Sequence, residues 1–342
     1  VNEALLYEQL SEGRVRCRLC GHECLLADGK RGICQVRENR GGKLETLVYG
    51  RSIARQVDPI EKKPLYHVYP GSRSYSIATP GCNFHCRWCQ NWQISQMPRE
   101  RGMIAGQAVT PQEIVVDASR KRCRTIAYTY TEPTVYFEHA YETAKLAHEA
   151  GIANVFVTNG HMSREMLETI NPYLDAANVD LKAFRDDTYR KFIGASLQPV
   201  LDSLKTMKRF GVWLEVTMLV IPGINDGSEE LRDAAQFVAR ELGAETPWHL
   251  SRFFPAYQMT DVPPTPHSTL RRALEIGQEA GLHYVYLGNV SDEVDTVCHA
   301  CGQLLIRRSR FAVLQNRVES GSRCPDCHAT VAGLGMDATS SQ

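Results

Sequence analysis

Residues 81–92 read GCNFHCRWCQNW, a loop in which Cys82, Cys86 and Cys89 are spaced C-x3-C-x2-C. The loop directly follows an apolar run, Tyr75–Thr79, that reads as a β-strand. Three thiolates on one short loop can hold three irons of a cubane, leaving the fourth iron without a protein ligand. An open coordination position suits metal catalysis, whereas structural sites are normally closed by a fourth ligand. His85 offers such a fourth ligand, and a structural zinc knuckle is the alternative. The wide loop, with the aromatic Trp88 just before the last cysteine, is unusual for zinc.

Working outward from this loop, short apolar runs alternate with amphipathic stretches. Strands are predicted at Tyr75–Thr79, Thr125–Thr129, Asn154–Thr158, Ala177–Leu181, Trp213–Ile221 and Trp248–Phe253, with a seventh at Tyr284–Leu287. Helices are predicted between them at Pro111–Lys121, Thr134–Ala150, Arg164–Asn171, Pro199–Phe210, Glu229–Leu242 and Ser268–Ala280. Pro111 and Pro199 suit a first helical turn, and Gly151, Gly211, Gly243 and Gly281 sit just past helix ends. Repeated strand–helix–strand units imply an α/β protein with a parallel sheet. Runs such as VFV and VTMLVI fit strands covered on both faces. Periodicity does not separate an open doubly wound sheet from a closed or partial barrel.

Twelve cysteines in 342 residues are the informative part of the composition. Hydrophobic content of 43% and charged content of 23% are those of an ordinary globular protein. The first ten residues lack a basic start and a continuous apolar core, and no stretch is long and apolar enough to span a bilayer. A cytoplasmic, reducing location is therefore expected, and clustered cysteines there read as metal ligands. Besides the central trio they form an N-terminal group (Cys17, Cys20, Cys24, Cys34) and a C-terminal group (Cys298, Cys301, Cys324, Cys327), with Cys123 alone. The C-terminal CHAC and CPDC knuckles flank two short predicted strands, GQLLIRRS and FAVLQNRV, as in a zinc ribbon, and zinc is expected there ahead of iron. The N-terminal spacing, C-x2-C-x3-C-x9-C, suits a structural zinc or an auxiliary [4Fe-4S] cluster equally. Lys plus Arg and Asp plus Glu number 39 each, so despite the locally basic IRRSRF no global field recruits nucleic acid or an anionic membrane.

The C-x3-C-x-aromatic-C loop after a first strand resembles the signature of the radical S-adenosylmethionine (SAM) superfamily. The wider resemblance is to its activating-enzyme-like branch, which includes pyruvate formate-lyase activating enzyme. Within that branch the runs VDPIEKKPLYH, ATPGCNFHCRWCQNWQIS, YTYTEPT, VFVTNG, DLKAF, VIPGIND and RFFPAYQMTDVPPTP are similar to the radical SAM enzyme of the AmmeMemoRadiSam system. The resemblance implies a partial (β/α)6 TIM-like barrel with small cysteine-rich metal-binding modules at both ends. The expected divisions are an N-terminal module and lead-in (1–71), the barrel (72–290), a zinc-ribbon-like module (291–335) and a disordered tail (336–342). It also implies that Cys82, Cys86 and Cys89 hold a [4Fe-4S] cluster that cleaves SAM reductively, giving methionine and a 5′-deoxyadenosyl radical that abstracts hydrogen from a substrate.

Other roles carry over by position. YTEP aligns with the family's Gly-Gly-Glu-Pro turn, so Glu132 is expected to accept from the SAM ammonium, while Tyr130 and Thr131 replace both glycines. VTNG aligns with Asp-Thr-Asn-Gly, which makes Thr158 and Asn159 polar contacts to SAM; Val157 removes the acidic residue of a cation site. Asp180 and Lys182 end the fourth predicted strand, and the resemblance places Lys182 at the SAM carboxylate or ribose. Asn225 and Asp226 of IPGIND belong to a loop expected on the adenine, or to an Asx turn. His249, Arg252 and Tyr257 are candidates for the substrate end. The implied partners are a reductant such as flavodoxin or ferredoxin and a protein partner of the AmmeMemoRadiSam system. The substrate is either a small molecule or a protein such as a glycyl radical enzyme.

Overall fold

The apolar runs become neighbouring strands of one eight-stranded sheet in the computed structural model, which describes residues 2–290 and 294–337. An edge strand β1 (Ala54–Pro59) pairs antiparallel with β2 (Arg73–Ala78). Then β3 (Thr125–Tyr128), β4 (Ala153–Thr158), β5 (Ala176–Asp180), β6 (Trp213–Val220), β7 (Trp248–Arg252) and β8 (Val285–Gly288) follow in parallel, each beside the one before. The sheet is open, with β1 and β8 as its edges. The seventh predicted strand is present as β8, and β1 is an element that the sequence pattern does not announce.

Between the strands run α1 (Pro111–Arg120), α2 (Phe137–Glu149), α3 (Arg164–Ile170), α4 (Gln198–Arg209), α5 (Ser228–Phe237) and α6 (His267–Glu279). Local chemistry fixes their ends. Thr110 and Glu113 form a reciprocal capping box ahead of α1 with Pro111 in its first turn. Gly211, at φ +80°, closes α4 in the left-handed region that glycine enters without a Cβ penalty. The helix expected to reach Leu242 leaves α geometry at Phe237, and Val238–Leu242 form a wider π-type turn. Ile126, Val155, Phe156, Ala177 and Val216 are fully buried, as strands covered on both faces require.

Register places the carboxyl ends of the strands together. Tyr128 is opposite Ile77 and Phe156, Thr158 opposite Val179, Asp180 opposite Thr217, and Ser251 opposite Leu219 and Gly288. The loops leaving this end carry the central cysteines.

Toward the other end lies a buried polar network. His249 is there: its Nε2 is 2.6 Å from Glu215 Oε2, and Glu215 also accepts from the Tyr66 and His67 amides. The expectation that His249 lines the substrate end is therefore corrected; it satisfies a buried carboxylate. The C-terminal ribbon, Thr296–Val297, Leu304–Ser309 and Ala312–Asn316, docks on the same region. Its fully buried Arg308 donates to the Tyr66 carbonyl at 2.8 Å, and Leu334 bridges Val68. Met336, the first residue of the expected tail, is buried, and its carbonyl accepts from Asn316; residues 338–342 lie outside the described residues.

At the N-terminus, two small antiparallel sheets pack on the main body: Asn2–Glu3, Lys43–Thr46 and Arg37–Arg40 in one, Tyr7–Gln9, Val15–Cys17 and Leu25–Leu26 in the other. They are tied down by a buried ion pair, Arg37 Nη1 to Glu138 Oε1 at 2.8 Å, with Glu138 on α2.

Candidate active site

The cysteine loop is held on several sides. Gln96 Nε2 donates to the Phe84 carbonyl at 3.0 Å, and the Phe84 amide points at Cys82 Sγ at 3.3 Å. The amides of His85 and Arg87 donate to Ile193 and Phe192, and the Arg87 carbonyl accepts from Gln258. Asn91 Nδ2 reaches the Tyr130 carbonyl at 2.8 Å, joining the loop to the turn after β3. His85 packs away from the thiols against Gly194, where an added Cβ would lie 2.5 Å from the His85 Nε2.

The three cysteines line a cavity with about 1260 Å³ of atom-free space, part of it open to solvent, at the carboxyl end of the sheet. Glu132, Thr158, Asn159, Asp180 and Lys182 line the same cavity, whereas Asn225 and Asp226, expected on the adenine, are not part of its lining. Burial pushes the Cys86 thiol up to about 12, opposed by Lys182, and pushes Cys82 well above its ordinary value. A bound cation favours the ionised form of thiols so placed. Trp88 also lines the cavity, and its buried indole Nε1 has no partner. The donor set thus fits a metal cluster carried by three thiolates.

Glu132 is 1% exposed, and burial raises its pKa, opposed by hydrogen bonds from Asn159, Thr134 and Thr158. Its Oε1 accepts from Thr134 Oγ1 (2.6 Å) and Thr158 Oγ1 (2.7 Å), its Oε2 from the Asn159 amide (2.8 Å). Oε2 retains accepting capacity for a cation. Asn159 Nδ2 donates to Asn83 Oδ1 at 2.7 Å and lies 3.8 Å from Cys82 Sγ. Thr158 and Asn159 therefore organise Glu132 and the cluster loop. Lys182 Nζ is 2.7 Å from Asp180 Oδ2. Burial would lower the Lys182 pKa, but the Asp180 carboxylate reverses this and holds the ammonium charged.

Other expected positions differ. Asn225 Oδ1 accepts from the Ile221 amide, and Nδ2 donates to the Lys182 and Leu219 carbonyls, so Asn225 shapes its own loop. Arg252 Nε donates to the Thr265 carbonyl. Tyr257 stacks on Trp92 with rings 5.2 Å apart and bonds Glu100.

The sequence reading missed one group. Asp58 on β1 accepts from Lys62 (2.8 Å), Lys63 (2.7 Å) and Tyr130, and Lys62, Lys63 and Tyr130 line the cavity. Burial lowers Lys63 to about 8 against the pull of Asp58. Tyr130 holds φ +62°, so the turn keeps a glycine-like backbone even though a tyrosine occupies it. The DPIEKK run spaced Asp58 four and five residues from Lys62 and Lys63, the one signal that could have found them.

The outer cysteines differ from each other. Cys298, Cys301, Cys324 and Cys327 have Sγ atoms all within 4.8 Å, with Cys298–Cys327 at 3.6 Å and Cys301–Cys324 at 3.7 Å. A tetrahedral zinc with Zn–S bonds of about 2.3 Å separates its sulfurs by about 3.8 Å. Among the described residues, this is the only set of three or more metal-binding side chains drawn together so tightly. Cys17, Cys20, Cys24 and Cys34 instead surround a separate cavity. Cys123 is buried and apart from all three groups.

Comparison with known proteins agrees with this geometry. Residues 76–238 match the Radical SAM superfamily. An uncharacterized protein of Methanocaldococcus jannaschii, MJ0808, is 46% identical over 330 residues, 96% of this chain and 98% of that protein. Pyruvate formate-lyase-activating enzyme of Clostridium pasteurianum is 24% identical over 175 residues, 49% of this chain and 70% of that enzyme. A radical SAM methyltransferase from Sphaerobacter thermophilus shares the fold with a TM-score of 0.50 at 16% identity, over 69% of this chain and 71% of that one. No helix among the described residues is long and apolar enough to cross a membrane. With three cysteines at the mouth of a parallel sheet and near-full-length likeness to an archaeal relative, the chain belongs to the radical SAM superfamily.

Proposed function

We propose that this chain is a [4Fe-4S]-dependent enzyme that cleaves SAM reductively and uses the resulting 5′-deoxyadenosyl radical to abstract hydrogen from a substrate. The observation that carries this reading is the convergence of Cys82, Cys86 and Cys89 with Glu132, Asp180 and Lys182 on one cavity. When bound, the cluster would supply the electron for sulfonium cleavage and an open iron position for SAM.

The chain's own residues bind and orient. Cys82, Cys86 and Cys89 hold the cluster, and His85, packed on Gly194, is left out of its ligand set. Glu132, fixed by Thr158 and Asn159, accepts from the SAM ammonium through Oε2. Lys182, kept charged by Asp180, faces the carboxylate or ribose. Lys62, Lys63, Tyr130 and Asn289 line the remainder of the cavity, where the substrate would enter. The open sheet is read as a partial (β/α)6 barrel with one added parallel strand, within residues 72–290. The C-terminal four-cysteine site is read as structural zinc, since its sulfur spacing suits one ion. A flavodoxin- or ferredoxin-type donor in the cytoplasm would supply electrons, and joint action with AmmeMemoRadiSam partners is the context implied by the sequence resemblance.

The test is anaerobic reconstitution with iron and sulfide, followed by dithionite and SAM. Formation of 5′-deoxyadenosine and methionine is expected. A fully loaded protein that forms neither would refute the reading.

A further inference from the structure

We propose that Cys17, Cys20, Cys24 and Cys34 hold a second [4Fe-4S] cluster, placed to pass electrons to the one on the central loop. The site stands on the N-terminal geometry alone; the electron-passing role rests on the function proposed above.

The four cysteines line one small cavity. They are not gathered as a zinc site gathers its ligands. The C-terminal four approach within 4.8 Å of one another, and no three metal-binding side chains of the N-terminal group do. A single ion pulls four sulfurs to about 3.8 Å, whereas in a cubane each thiolate sits on its own iron and the sulfurs stand farther apart. Cys82, Cys86 and Cys89 likewise are not drawn together within that distance. One chain therefore contains one four-cysteine site gathered as a single ion gathers its ligands and two cysteine groups that are not so gathered.

A second observation points to an anionic ligand. Arg37 is 1% exposed and belongs to the lining of this cavity. Its Nη1 bonds Glu138 and its Nη2 the Leu5 carbonyl, but its Nε has no partner. A buried guanidinium N–H left unpaired beside four cysteines is a donor waiting for an acceptor. The thiolates and bridging sulfides of a cluster are such acceptors.

The site adjoins the central loop directly. His22, which lines the N-terminal cavity, has Nε2 2.8 Å from the carbonyl of Asn83, the residue after Cys82. A Cβ on Gly81 would lie 3.5 Å from the Cys34 carbonyl and 2.7 Å from Val36, so glycine there allows the module to seat against the loop. Thr134 lines the cavity and donates to Glu132 at 2.6 Å. That hydrogen bond thus links a residue two positions from both Cys20 and Cys24 to the residue after Cys82. In the proposed relay a low-potential one-electron donor, an iron–sulfur or flavin protein, reduces the N-terminal cluster from 2+ to 1+. That cluster returns to 2+ as the central one is reduced, and no covalent bond changes.

The test is full-length protein carrying Cys82→Ala, Cys86→Ala and Cys89→Ala, reconstituted anaerobically beside the wild type. Expected are about four irons, about four sulfides and about one zinc per chain, with an electron paramagnetic resonance signal on reduction, against about eight irons in the wild type. About two zincs and no iron in the triple variant would overturn the proposal, even if the wild type cleaves SAM. As a check on folding, Cys20→Ser with Cys24→Ser should keep the central cluster, with about four irons, and lose the N-terminal signal. Retention of about eight irons there would equally overturn it. A wild type with about eight irons that fails to cleave SAM would sustain the site and remove the relay.

Discussion

The Asn159 amide donates to Glu132 Oε2 at 2.8 Å, joining the end of β4 to the turn after β3. With Thr134 and Thr158 on Oε1, this fixes a carboxylate whose burial disfavours its charge. A buried carboxylate is useful where a cation will arrive. Glu132→Gln should fold but lose about 1–3 kcal/mol of stability, because its NH2 would meet the Asn159 N–H where Oε2 now accepts. SAM affinity should fall tenfold or more, since a charge-assisted hydrogen bond is worth about 1.5–3 kcal/mol. Equilibrium binding of SAM to the reconstituted variant measures this; wild-type affinity would exclude Glu132 from the ammonium site.

Lys182 is held charged by Asp180 at 2.7 Å, with the side chains 19% and 32% exposed. Because the pair is partly solvated, Lys182→Met should cost about 1 kcal/mol or less of stability. Its effect should appear in catalysis, as a KM for SAM raised about tenfold in 5′-deoxyadenosine formation. A large loss of stability with unchanged KM would reassign the pair to structure.

Gly194 sits at φ +75°, and a Cβ there would lie 2.5 Å from the His85 ring. His85 has little room to yield, because its amide is bonded to Ile193 at 2.9 Å. Gly194→Ala should therefore cost about 1–2 kcal/mol for the left-handed backbone, plus displacement of the cluster loop. The expected result is a lower thermal midpoint together with less iron retained after reconstitution. Full iron content would show that the loop tolerates the shift.

Much of this was legible in the sequence for identifiable reasons. The parallel strands are covered on both faces, so continuous runs such as VTMLVI mark them within a residue or two. Thr110 and Pro111 mark where α1 begins. β1 was not legible: its residues, ARQVDP, are polar or end in proline because only Asp58 is buried. Membership in the sheet comes from the partner strand, which no local pattern reports. His249 was misplaced for a related reason, since its carboxylate partner is 34 residues away, on the neighbouring strand. Sequence spacing left the metal of the N-terminal cysteines open, because spacing along the chain does not report how far apart the sulfurs stand.

The C-terminal ribbon has a small core of its own that includes Cys298 and Cys324, and a metal on its four cysteines would add to what holds it together. Cys301 and Cys327 are the exposed pair. Replacing both with serine should abolish one zinc equivalent and loosen the strands Leu304–Ser309 and Ala312–Asn316. Trypsin should then cut at Arg307 or Arg310 much faster than in the wild type. Unchanged zinc content or unchanged cleavage would count against a metal-stapled ribbon.

Acid should destabilise the folded chain through histidines buried without charge, and His139 on α2 isolates the effect. It is 2% exposed, neither ring nitrogen has a partner, and burial lowers it to about 4. The unfolded chain titrates the same ring near 6.5. Between those values the unfolded state binds a proton that the folded state refuses, so stability is retained above about 6.5 and lost as pH falls toward about 4. At pH 5 the loss should be roughly 1–2 kcal/mol from this residue. His139→Leu removes the titration and two unsatisfied nitrogens while keeping apolar volume against Tyr49, whose ring lies 5.2 Å away. Denaturant unfolding at pH 7 and pH 5 should then show a variant at least as stable as wild type at pH 7, with a smaller loss at pH 5. An equal loss in both proteins would place the acid sensitivity elsewhere, at the metal thiolates or at His67 and His161, which burial holds at about 4 and about 3.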